Sequence, residues 1–179
     1  MSPDGTAQAS EQQQPAQARH KTPKFKPLTH AELEKQLHGL YLEDLKVGMS
    51  ALIARTVTDA DIVLFAGISG DTNPLHMSTE FANGTRFEGR IVHGMLTSAL
   101  ISAVIGTKLP GPGCIYMSQN QRFLAPVRAG DSVIAQVTIT DINQEKERVT
   151  LSTMCAVGDT VVVEGEALVK VPRKPEHRA

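Results

Sequence analysis

Between Val92 and Leu109 the chain carries Met95, Leu96, Leu100, Ile101, Val104 and Ile105, spaced so that apolar side chains ring almost the whole circumference of a helix. A helix of that kind is expected to be buried. Pro110-Gly111-Pro112-Gly113 ends it. Along its length Gly94, Ser98 and Ser102 recur four residues apart, a stripe of small side chains where another segment or a ligand can come close to the backbone.

Downstream of the helix the chain reads as strands: Cys114–Phe123, Ser132–Ile142, Arg148–Val157 and Thr160–Val171, with Asn143-Gln144 and Gly158-Asp159 as turns. Val133, Ala135, Val137 and Ile139 alternate with polar residues, as do Val149, Leu151 and Thr153, so each strand has one face for a core. An earlier strand, Met49–Val57, comes after the Val47-Gly48 turn. One buried helix with antiparallel strands makes an α+β chain, and 179 residues with 41% hydrophobic content fit a single domain without internal repeats.

Residues 1–28 are rich in Gln, Ala, Pro and Lys and are expected to form a flexible tail. A short leading helix is expected over 29–40, opened by the Thr29/Glu32 capping pair and closed by Gly39, then the main domain over 41–172 and a C-terminal tail over 173–179. A second capping pair, Thr58 and Asp61, opens a short helix that ends at Ser69-Gly70. A net charge of -1 supplies no basic field for nucleic acid or anionic lipid, and no apolar run approaches the roughly 20 residues that span a bilayer. Neither nucleic acid nor membrane is an expected partner. The N-terminus lacks a secretory signal, and Asp4 and Glu11 oppose a mitochondrial presequence, so a cytoplasmic address is expected. Cys114 and Cys155 lie apart in apolar stretches and read as reduced core residues.

The chemistry-bearing segment runs from Phe65 to Ala82. Asp71-Thr72-Asn73-Pro74 is strong turn chemistry, so Asp71 and His76 flank a proline-stiffened loop. Spacing alone favours an Asp that caps a turn with a His packed beneath it. The segment, however, resembles the signature of the MaoC-like family, the (R)-specific enoyl-CoA hydratases: an aromatic, Ser/Gly, Asp, any residue, Asn-Pro, an aliphatic, His. The resemblance extends to Ile91-Val92-His93-Gly94-Met95-Leu96, to Leu109–Gly113, to Ile115-Tyr116 and to 123–131, and spans roughly 40–172.

That resemblance implies a hot-dog fold, an antiparallel sheet wrapped around the long central helix, with two sheets joined edge to edge in a homodimer. It also implies (R)-specific hydration of a trans-2-enoyl-CoA, in fatty-acid or polyhydroxyalkanoate metabolism. In the family the residues matching Asp71 and His76 share one water, and which acts as acid is left open. The resemblance gives Gly94 the thioester carbonyl, makes Asn73 a water-positioning residue and places Ser102 near the aspartate. Read from the residues, Asn73 serves equally as a turn former, and Ser102 equally as a helix serine bonding the carbonyl four residues back. His93 is expected to anchor the loop entering the helix, whereas His20, His30, His38 and His177 lie in tail or surface segments. Asp71, His76 and His93 match no standard zinc or calcium spacing, and no metal or cofactor is expected, because a thioester already polarises the alkene. The alternatives are a 3-hydroxyacyl-carrier-protein dehydratase, a hot-dog acyl-CoA thioesterase and a non-catalytic acyl-CoA binder. An acyl-CoA thioester is the expected partner in three of these four readings.

Overall fold

The structure, a computed structural model, describes residues 26–177, so most of the expected N-terminal tail and His20 lie outside the described residues. Helix α1, His30–Leu37, is held at its start by a full Thr29/Glu32 capping box but buries no side chain. Strand β1, Ser50–Thr56, leads into helix α2, Asp59–Ser69, whose Thr58/Asp61 capping box is complete and whose C-cap Gly70 is left-handed at φ 75°. Two short helices come next, α3 over Pro74–Met77 and α4 over Thr79–Asn83. Helix α5 is Gly94–Thr107, and strands β2 Ile115–Phe123, β3 Ser132–Asn143, β4 Arg148–Val157 and β5 Thr160–Lys170 complete the chain.

The strands form one five-stranded antiparallel sheet in the order β1-β3-β4-β5-β2. Its alternation is the expected one: Val133, Ala135, Val137 and Ile139 of β3 and Val149 and Leu151 of β4 are buried at 0–1% exposure. They face α5, which packs chiefly over β1, β3 and β4 through Leu100, Ile101, Val104 and Ile105. The result is the expected α+β sheet curled around a central helix. Among the described residues no helix is long and apolar enough to cross a membrane.

The structure departs from the sequence reading in two places. Helix α5 is not buried all round: Met95, Ala99, Ser102 and Gly106 form an exposed line. A single sheet covers one side of a helix, and residues at this spacing lie on the other. Pro74 does not merely block a helix; it starts one, because the first helical position needs no N–H and favours the φ that proline imposes. Arg173 and Lys174, at the start of the C-terminal segment, form ion pairs with Glu43, Glu147 and Asp44.

Candidate active site

Local hydrogen bonding builds the Asp71 end of the site. Gly70 turns the chain out of α2, and the Ser69 hydroxyl, which donates to the Phe65 carbonyl at 2.7 Å, accepts from the Asp71 N–H at 3.2 Å. Asp71 Oδ1 accepts from the Asn73 N–H at 3.2 Å, and Asn73 Oδ1 accepts from the Leu75 N–H at 3.0 Å, capping α3. The Asn73 side-chain amide oxygen is thus occupied in the turn. Asp71 is exposed, whereas His76, carried inward on α3, is 8% exposed.

His76 Nδ1 lies 2.9 Å from the Ile91 carbonyl. A carbonyl only accepts, so Nδ1 donates to it, and in the neutral form of the ring Nε2 is the acceptor. His93, the N-cap of α5, is 1% exposed, and its Nε2–H donates to the Asp71 main-chain carbonyl at 2.9 Å. Its ring lies against His76 with centroids 3.9 Å apart and against Phe65 at 5.1 Å. Asp71, His76 and His93 each offer a donor atom within 4.8 Å of the others, so the fold gathers three groups that the sequence spacing did not mark as a set. That is also the composition of a three-donor cation site.

Gly94 is the first residue of α5, where a helix N–H has no acceptor within the helix and the dipole is positive. Phe123 of β2 lies over it so closely that a Cβ on Gly94 would come 2.7 Å from the ring. Only glycine keeps that N–H open beside the aromatic. Together Asp71, His76, His93, Gly94 and Phe123 line a cavity of about 370 Å³ whose other walls include Phe87 and Val92. A larger groove of about 640 Å³ crosses the other face of the sheet, past Gln136 and Ser152, but it holds no imidazole and neither Asp71 nor Gly94. Both imidazoles and the Asp71 carboxyl group line the smaller one.

Ser102 is not brought to this cavity. It is exposed on the outward side of α5, eight residues and about 12 Å along the axis from Gly94. Thr97, Ser98 and Thr107 do bond the carbonyl four residues back, but Ser102 makes no side-chain hydrogen bond among the described residues. Neither thiol is a candidate nucleophile: burial pushes Cys114 up and Cys155 up to about 12, which keeps both protonated. Sequence reasoning missed the contact between His93 and the Asp71 carbonyl and the cover that Phe123 gives Gly94. The first had one local signal, a histidine directly before a helix-opening glycine.

The profile of the MaoC like domain matches residues 46–159. An (R)-specific enoyl-CoA hydratase of Rhodospirillum rubrum is 54% identical over 134 residues, covering 75% of this chain and 93% of that protein. A 3-hydroxybutyryl-CoA dehydratase of Methylorubrum extorquens is 50% identical, covering 79% of this chain and 90% of that protein. The unliganded R-hydratase of Pseudomonas aeruginosa superposes with a TM-score of 0.72 at 39% identity, covering 76% of this chain and 88% of that one. The long motif, the sheet curled around α5 and these matches agree, and the chain belongs to the MaoC-like family, with its hot-dog fold.

Proposed function

We propose that the protein is a hydro-lyase that adds water to a trans-2-enoyl-CoA to give the (R)-3-hydroxyacyl-CoA, and runs the reverse dehydration. The observation that carries this reading is the placement of His76: its Nδ1 is held by the Ile91 carbonyl, which leaves the other ring nitrogen for a ligand, and the ring lines the same cavity as Asp71 and Gly94. Hydration of a conjugated thioester asks for those parts. One water donates to His76 Nε2 and to Asp71. As its oxygen bonds to C3, its proton passes to Nε2 and the alkene pair moves toward the thioester, leaving an enolate oxygen on the Gly94 N–H. C2 then takes a proton from the imidazolium, and His76 returns to its starting form.

The thioester supplies its own electron sink, so this sequence of steps calls on no metal. The test is incubation with crotonyl-CoA: the conjugated-thioester absorbance is expected to fall without release of free thiol. Stoichiometric free thiol would make the protein a thioesterase instead.

The active unit in this reading is a homodimer. Two features support it: β2 is an edge strand with Ile115 and Met117 exposed, and α5 leaves its Met95 line uncovered. Pairing removes an open edge and buries that face. Light scattering is expected to give twice the 19.3 kDa of one chain; a single-chain mass at micromolar concentration would contradict it.

A further inference from the structure

The cavity that holds His76 and Gly94 has a cation on its rim. The segment between α4 and α5 is stiffened by its own side chains: the Thr85 hydroxyl donates to the Ala82 carbonyl at 2.7 Å and accepts from the Phe87 N–H at 3.3 Å, and Glu88 turns it at φ 51°. Arg128, on the loop after β2, clamps this segment from outside, donating to the Phe87 carbonyl and lying so close to Gly89 that a Cβ there would meet its Nη1 at 3.0 Å. Arg86 is held in this braced stretch, exposed, lining the cavity, with its guanidinium 4.8 Å from the centre of the Phe87 ring.

The charges around it are not balanced. Arg90 is paired with Asp59 at 2.6 Å, but neither Arg86 nor Arg128 has an ion pair among the described residues. Glu88 sits on the same segment without pairing to Arg86, and Asp131 accepts from the main-chain N–H of Arg128, not from its guanidinium. An uncompensated guanidinium on a stiff segment, at the mouth of a mainly apolar cavity, is suited to an anion that stays outside while the rest of the ligand goes in.

We infer that Arg86 binds a phosphate of the pantetheine carrier that delivers the thioester. The inference rests on the reading of the cavity as an enoyl-thioester site. With the thioester carbonyl on Gly94, the acyl chain points inward and the carrier runs outward past Phe87. Every such carrier has phosphate at its far end, either the phosphates of coenzyme A or the phosphodiester that joins pantetheine to a carrier protein. A guanidinium fork matches phosphate oxygens in two parallel hydrogen bonds, which an ammonium does not reproduce.

The test compares wild type with Arg86→Gln and Arg86→Lys on three crotonyl thioesters: of coenzyme A, of an acyl carrier protein, and of pantetheine, which has no phosphate. Arg86→Gln is expected to raise KM for at least one phosphate-bearing substrate by about tenfold or more, the scale of one lost charge-assisted hydrogen bond. The kcat for that substrate and the KM for crotonyl-pantetheine are expected to match wild type, with Arg86→Lys in between. A rise with coenzyme A alone identifies the nucleotide phosphates as the ligand, and a rise with the carrier protein alone identifies the phosphodiester. A KM that rises equally for all three, or for none, overturns the inference. If wild type turns over none of them, the hydratase reading fails separately, and calorimetric binding of coenzyme A then decides Arg86: weaker binding in Arg86→Gln sustains it and equal binding overturns it.

Discussion

His76→Gln is expected to lower kcat for crotonyl-CoA hydration by about 10²–10⁴-fold, the range that a positioned acid–base group supplies. Glutamine keeps a donor that can reach the Ile91 carbonyl, so the α3 segment retains its anchor, but it has no titrating nitrogen to take the water's proton. Asp71→Asn is the matched control at the other side of the water. Its amide oxygen still accepts from the Asn73 N–H, so the turn is preserved while the acidic group that accepts from the water is lost, and kcat is expected to fall by about 10–10²-fold, the scale of a charge-assisted hydrogen bond. Steady-state kinetics beside thermal melting check both. Either variant with wild-type kcat and a normal melt would remove that residue from the reaction.

The second large effect is expected at His93. Its Nδ1 is buried and has no hydrogen-bond partner among the described residues, an arrangement that costs roughly 1–3 kcal/mol. Nothing in stability alone explains a half-satisfied imidazole at that position. Its other nitrogen holds the Asp71 main chain, and its ring lies against His76. His93→Phe keeps the ring contact, removes the orphaned nitrogen and breaks the tie to Asp71. Melting temperature is expected to hold or rise, while kcat falls by about 10²-fold, as small misplacements of reacting groups do. Wild-type kcat in a well-folded His93→Phe would show that the tie does not position Asp71.

The features legible in the sequence are those set by neighbours along the chain. The Thr29/Glu32 and Thr58/Asp61 capping pairs, the helix stop at Gly70 and the alternation in β3 and β4 each depend on residues a few positions apart, and all appear as expected. Asp71 and His76 are legible because the turn between them has a fixed chemistry and a long signature. Contacts across the fold are not. Periodicity cannot say that one sheet leaves half of α5 uncovered, so it puts Ser102 in a buried helix when the residue is exposed. The clamp of Arg128 on the Phe87 carbonyl joins residues 41 positions apart, and the ties of His76 and His93 to main-chain carbonyls span 15 and 22 positions. None of these leaves a pattern in the residue order. The Pro74 helix is hidden for another reason: proline is compatible with a turn and with a first helical position, and Asn73 precedes either one.

The most direct measurement is chiral analysis of the product that wild-type protein makes from crotonyl-CoA. His76, Asp71 and Gly94 line one cavity, so water is added to a single face of the alkene. The expected product is (R)-3-hydroxybutyryl-CoA with no free coenzyme A. The (S) product or a racemate would contradict the proposed site, and release of coenzyme A with crotonate would contradict the proposed reaction.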